Sequence, residues 1–350
     1  MRRRAGHPSM DEGDRHRQSR LFTDDDGSFD ESRAREEALP VEDGEVIDTD
    51  ELADHQTYLE GRGIYDERNR VNDLTGREWK YATKSVITDR YPPDLQHDLR
   101  SEHGGQKPPR LCTDLIERFS SAGDRVLDPF AGVGGTLLGA SLCEYEGTGR
   151  RTAIGFEQTE RWIDVYETAL ERENADRRAR GEPPLAEQDI RHGDCTTLID
   201  DLDADSIDLL LTDVPYWHMD DLEQTRNEDN VRESKLDSFD DGEDGTATQW
   251  ESKADWLADM GEWFASFTDA VKPDGYVVVF IGDMYRDQSY EFLSADLARS
   301  IGDAAPLTLK ASLVWYDPTK DLHVYGYPFS FVPSMVHQNV LVFRVESTAT

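Results

Sequence analysis

Val126-Leu127-Asp128-Pro129-Phe130-Ala131-Gly132-Val133-Gly134-Gly135-Thr136 decides the fold. A short apolar run ends in an acid, a proline and clustered glycines follow, and Leu137-Leu138 resume the apolar pattern. This is the grammar of a buried strand, a glycine turn and a helix. A glycine turn in that context lets the backbone approach a nucleotide-like ligand closely. Working outward, the spacing predicts further strands at 152–157, 189–192, 207–213, 276–281, 309–316 and 339–345, beside 125–128. Between them it predicts helices at 110–120, 135–143, 160–180, 253–271 and 290–301. Strands alternating with amphipathic helices imply an α/β fold with a doubly wound, mostly parallel sheet. The last two of the seven strands have no strong helix between them, as in sheets that carry an antiparallel edge strand.

Ligands of such sheets bind at the carboxyl ends of the strands. Three acids stand there: Asp128, Glu157 and Asp194. Glu157 is placed to hold ribose hydroxyls, Asp194 to accept from an adenine amino group, and Asp128 to face a cofactor's ammonium group. Each alone also fits an ordinary solvated carboxylate. A nicotinamide dehydrogenase is disfavoured, because G-x-G-x-x-G spacing is absent. A second segment, Leu210-Leu211-Thr212-Asp213-Val214-Pro215-Tyr216-Trp217, is another buried strand ending in a carboxylate, a proline and two aromatics.

The formal net charge is −36. Acid runs such as Asp24-Asp25-Asp26 and Asp240-Asp241 are spread along the chain, and arginine outweighs lysine. This pattern resembles proteins of salt-loving organisms. Such a charge opposes phosphate binding at low ionic strength. At molar salt the Debye length falls to about 3 Å, and local contacts decide. Three cysteines without metal-ligand spacing argue against a disulfide framework or a metal site and fit a reduced, cytoplasmic setting. No signal peptide or membrane span is expected. Residues 1–75 are acidic and poor in apolar side chains, so they are expected to be largely disordered ahead of a domain over 76–346. Residues 219–250 break the alternation as a long charged loop, a candidate substrate-recognition insertion in which Arg226, Arg232 and Lys235 are candidate phosphate contacts.

The two quoted segments, with His103-Gly104-Gly105-Gln106-Lys107-Pro108-Pro109 upstream, resemble the S-adenosylmethionine-dependent DNA amino-methyltransferases that act on cytosine N4 or adenine N6. The resemblance covers roughly residues 78–345. It implies the Rossmann-like class I methyltransferase fold with seven strands, and S-adenosyl-L-methionine as cofactor. Lys107, Asp128, Phe130, Ala131, Gly132, Gly134, Thr136, Glu157 and Asp194 would then bind the cofactor, with the His-x-x-Gln-Lys-Pro loop over its methionine end. It also implies that Asp213, Val214, Pro215, Tyr216 and Trp217 form the catalytic loop, acting on a base flipped out of DNA. The family pattern is Asp, Asn or Ser before Pro-Pro-Tyr, and Val214 departs from it. The residue before a proline is biased to extended backbone, which can preserve the loop shape. An exocyclic amino nitrogen is a poor nucleophile, and acceptors on its N–H bonds localise the lone pair. Asp213 and the main-chain carbonyl of Val214 or Pro215 are the candidate acceptors, with Tyr216 and Trp217 as stacking walls. The base stays open between adenine and cytosine. Other readings are an RNA or protein amino-methyltransferase and a binding protein without catalysis. A restriction nuclease or a specificity subunit is the implied partner, and no oligomeric state is legible.

Overall fold

The computed structural model describes residues 76–143, 149–217, 250–286, 288–318 and 327–346, with short pieces at 52, 56–59, 63–66, 71–74, 320, 322 and 324. The 219–250 loop, apart from Trp250 at its end, and with it Arg226, Arg232 and Lys235, lies outside these residues, as does nearly all of the acidic stretch before residue 56. The chain divides into two compact units, residues 1–69 with 75–78, and residues 70–74 with 79–350. In the first, β1 (Gln56–Leu59) and β2 (Gly63–Asp66) pair antiparallel, Gln56 opposite Asp66 and Leu59 opposite Gly63. Helix α1 covers Gly76–Ala82.

The second unit is built on one eight-stranded sheet. Its strands are β3 (Val86–Ile87), β4 (Arg125–Asp128), β5 (Thr152–Glu157), β6 (Asp189–His192), β7 (Ile207–Asp213), β8 (Val271–Ile281), β11 (Leu307–Tyr316) and β12 (His337–Val345), in the order β3-β11-β12-β8-β7-β4-β5-β6. Every neighbouring pair is parallel except those made by β12, which runs antiparallel to both β8 and β11. The sheet has eight strands where the sequence pattern implies seven. The extra one, β3, is two residues long and pairs with β11 at the edge; the antiparallel β12 lies between β8 and β11, inside the sheet and not at its rim. This is a doubly wound, mostly parallel α/β, Rossmann-like sheet with one strand more than the sequence pattern implies. Between β8 and β11, β9 (Met284–Arg286) and β10 (Ser289–Glu291) form a small separate hairpin.

Helices cover both faces. One layer holds α3 (Pro109–Phe119), α4 (Gly135–Cys143) and α5 (Glu160–Arg180), and the other holds α7 (Lys253–Ala270) and α8 (Leu293–Ala304). Two short helices complete the set, α2 (His97–Arg100) and α6 (Cys195–Leu198). Side-chain alternation sorts the strands between the layers: Leu209 and Leu211 pack with Leu111 and Leu115 of α3, and Leu210 packs with Phe264 and Phe267 of α7. Buried on both faces, the central strands are continuous apolar runs.

Helix boundaries follow local chemistry. Pro109 opens α3, where its missing N–H is harmless. The Ser252 side chain caps α7 by accepting from the Asp255 N–H. Three arginines crowd the last turn of α5, and Gly181, at φ 76°, closes it in the left-handed region. No described helix is long and apolar enough to cross a membrane.

Candidate active site

The strand order reverses between β4 and β7, so β4 pairs with β5 on one side and β7 on the other. Crevices at such switch points, outside the carboxyl ends of the strands, are where open α/β sheets bind ligands. Here β4 ends in Asp128 and β7 in Asp213. The Thr212 hydroxyl donates to Asp128 Oδ1 at 2.6 Å, and the Phe130 N–H donates to the same oxygen at 3.1 Å. Asp128 is buried. Burial pushes its carboxyl up to about 6, against the hydrogen bonds from Thr212, Thr136 and Phe130, and the neighbouring Asp213 charge adds to the rise. Asp128 is therefore tied into the sheet end and does not stand open as an ammonium partner.

The glycine turn is built around left-handed backbone, φ 50° at Gly132 and 74° at Gly134. A Cβ on Gly134 would sit 2.1 Å from the Tyr166 ring of α5, so only glycine fits there. Three N–H groups of the turn are used internally. Gly132 N donates to Glu157 Oε2 at 2.8 Å, Gly134 N to Ala131 O at 2.9 Å, and Ala131 N to Phe156 O at 2.8 Å. The turn thus ties β4 to β5 and carries Glu157 with it. Glu157 Oε1 accepts from Thr159 N at 2.8 Å. Burial pushes this carboxyl up, and the two backbone N–H groups oppose it.

The flanking residues complete the turn. The Phe130 ring lies 5.9 Å from those of Trp263 and Phe267. Thr136 is buried in the first turn of α4. His103 packs edge-on against Trp162 and lies over Gly132. Burial first, and then Lys107, push its pKa down to about 4, so it is neutral at pH 7. Asp194 caps α6, its Oδ1 accepting from the N–H and hydroxyl of Thr196 at 2.8 and 2.7 Å.

The loop after β7 is fixed at three points. Lys107 Nζ donates to Asp213 Oδ2, while Asp213 Oδ1 is buried and has no hydrogen-bond partner among the described residues. Trp256 Nε1 donates to Pro215 O at 2.9 Å, which occupies one of the two main-chain acceptors expected for a substrate and leaves the carbonyl of Val214. The Tyr216 hydroxyl accepts from Gly282 N at 2.7 Å and Gln338 Nε2 at 3.0 Å. Val214 is 2% exposed and belongs to the core under α7. Trp217 is half-buried against the same cluster.

Residues 47–168 match the DNA methylase family. The matched segment takes in Lys107, the glycine turn and Glu157, and it stops before Asp213. No curated protein matches the sequence. Among solved structures, TrmN from Thermus thermophilus is 15% identical, with a TM-score of 0.38 over 70% of this chain and 52% of its own. A SAM-dependent methyltransferase from Methanosarcina mazei is 13% identical, with a TM-score of 0.39 over 66% of this chain and 97% of its own. The chain thus spans about half the length of the Thermus protein. Its fold is defined by its own sheet order.

S-adenosyl-L-methionine is the cofactor of the methylase family, and the donor set at the strand ends fits it. The Glu157 carboxylate accepts the N–H groups of Gly132 and Thr159 and also bonds the Thr159 hydroxyl, which leaves acceptor capacity for one further hydroxyl. Asp194 Oδ1 is engaged in the cap, which leaves Oδ2 as the atom for an amino group. The sequence singled out neither Thr212, Trp256, Gly282 nor Gln338 as site residues. Their roles arise from register: Gln338 sits at the start of the antiparallel β12, which brings it beside Gly282 at the end of β8. The surface hollow lined by Asp94, Gln96, His97 and Arg172 shares no residue with this cluster.

Proposed function

We propose that the chain transfers a methyl group from S-adenosyl-L-methionine to the exocyclic amino group of a DNA base, cytosine N4 or adenine N6, flipped out of the helix. The observation that carries this reading is Asp213: a half-buried carboxylate at the switch point, one oxygen held by Lys107 and the other buried and unpartnered among the described residues. An unsatisfied buried acceptor is unfavourable by roughly 1–3 kcal/mol, which a substrate N–H relieves on binding. Asp213 Oδ1 and the Val214 carbonyl then draw on the two N–H bonds and localise the nitrogen lone pair in a preorganised site. When bound, the cofactor supplies a methyl group on a sulfonium. The nitrogen sheds one proton on methylation, and Asp213 Oδ1 is the acceptor at hand.

Tyr216 offers its ring as a stacking wall, held by the bonds to its hydroxyl. The Trp256–Pro215 bond and the buried Val214 hold the loop shape that a second proline gives elsewhere. This argues for a working loop and against a lapsed one. Arg226, Arg232 and Lys235 are assigned to phosphate contact. The net charge of −36, which opposes DNA and RNA alike, is the one observation favouring a protein substrate.

The test is incubation with methyl-labelled S-adenosyl-L-methionine at molar KCl, with mixed-sequence DNA, RNA and protein in parallel, followed by digestion. Label in N4-methylcytosine or N6-methyladenine is expected, with Asp213→Ala reducing it at least about 100-fold. Label only in RNA or protein, or equal labelling by wild type and the variant, overturns the reading.

A further inference from the structure

Lys107 stands in the loop expected over the cofactor, yet its side chain goes elsewhere. It is 8% exposed, and its ammonium donates to Asp213 Oδ2 and, at 3.4 Å, to the carbonyl of Gly105. It also lies 5.4 Å from the centre of the Phe280 ring, which faces a cation favourably. We infer that Lys107 is a positioning residue for the reaction: it occupies Oδ2, sets a positive charge against the carboxylate, and leaves Oδ1 as the unpartnered oxygen for the substrate N–H. The inference rests on the amino-methyltransferase reading and assigns the geometry of its acceptor.

The lysine is delivered from a rigid base. Gln106 Oε1 accepts from Arg100 Nη1 at 2.9 Å, and the buried Arg100 also donates to Leu95 O at 2.8 Å. On the other side Pro108 and Pro109 start α3. The Lys107 carbonyl would lie 3.0 Å from a Cβ on Gly135, the first residue of the helix after the glycine turn. One short segment therefore packs on the cofactor turn through its backbone and holds the catalytic carboxylate through its side chain.

The charge argument points the same way. Burial pushes the Asp213 carboxyl up, and Lys107 is the largest opposing influence. The other ionisable groups facing it are Lys320 from the β11–β12 connection, which also favours ionisation, and Asp128 and Tyr216, each pushed up by the Asp213 charge. A protonated Asp213 would place a donor where the reaction needs an acceptor. Without Lys107, Lys320 alone would oppose burial.

The test compares wild type with Lys107→Met and Lys107→Arg. The carboxyl carbons of 13C-labelled aspartate are titrated by NMR, with Asp213→Asn assigning the resonance, and cofactor affinity is measured by calorimetry. Expected is an Asp213 titration about one pH unit or more higher in Lys107→Met, restored towards wild type in Lys107→Arg. The acid limb of kcat should move by the same amount. If Lys107→Met does not fold, Lys107→Gln is read the same way. An unmoved Asp213 titration overturns the inference, and weakened cofactor binding alongside it would assign the lysine to the cofactor. The NMR arm needs no turnover, so absence of methylation on every substrate defeats the reaction reading without touching this result.

Discussion

At the level of single residues, Asp128 carries the clearest signature of a group held against its preference. It is buried at the sheet centre with hydrogen bonds only from neutral donors, and its carboxyl rises from 3.8 to about 6. A raised folded value means the stability contribution is full below about 4 and is lost as pH rises through about 6. At roughly 1.4 kcal/mol per pH unit of displacement, the ionised side chain is unfavourable by on the order of 3 kcal/mol at most. Asp128→Asn keeps an acceptor for the Thr212 hydroxyl and the Phe130 N–H without a charge to bury. The variant should melt several degrees above wild type at pH 8 and at the same temperature at pH 4. A gain independent of pH would mean that packing, not ionisation, sets the effect. The sequence places Asp128 at a strand end but suggests an open partner for a cation. Only the neighbouring strand, through Thr212, shows that the carboxylate is already satisfied.

Among elements, the strand–turn–helix unit of β4 and α4 is the most legible and the least tolerant. Its apolar run, proline and glycines define the strand and the helix from sequence alone. What sequence does not give is why each glycine is there. Gly134 combines φ 74° with a would-be Cβ 2.1 Å from Tyr166, whereas Gly123, at φ 94°, has nothing within 4 Å. Gly123→Ala therefore bears only backbone strain of about 1–2 kcal/mol. Gly134→Ala adds a steric conflict with a buried ring and should lose several kcal/mol in urea unfolding, or not fold. Equal losses would show that the turn can move off Tyr166. Elsewhere legibility fades as local signals shorten. The two-residue β3 has no periodicity to read, and its place depends on pairing with β11. Tyr290 has the apolar character of a helix start, but Ser289–Glu291 pairs with Met284–Arg286, and α8 begins at Leu293. Gln338 and Trp256 are equally silent in sequence, because their partners are 122 and 41 residues away in the chain.

For the whole molecule, a net charge of −36 sets how the chain meets a polyanion. At low ionic strength two negative bodies repel, and added salt should strengthen binding by screening. Near molar salt the Debye length is about 3 Å, so only contacts count. Each phosphate met by a cation then lowers log K by about 0.9 per decade of salt. With Arg226, Arg232 and Lys235 on phosphates, the slope above about 0.5 M KCl should approach −3. DNA affinity followed by fluorescence anisotropy across KCl concentrations should therefore rise, pass through a maximum and fall. Replacing the three cations by glutamine should leave the rising limb in place and flatten the falling one. A fall from the lowest salt upward, as for a basic DNA-binding protein, would mean that a concentrated positive patch dominates despite the total charge. A falling limb unchanged in the triple variant would move the phosphate contacts off the 219–250 loop. The same screening should raise the melting temperature of the free protein with KCl but not with an uncharged osmolyte at matched osmolality.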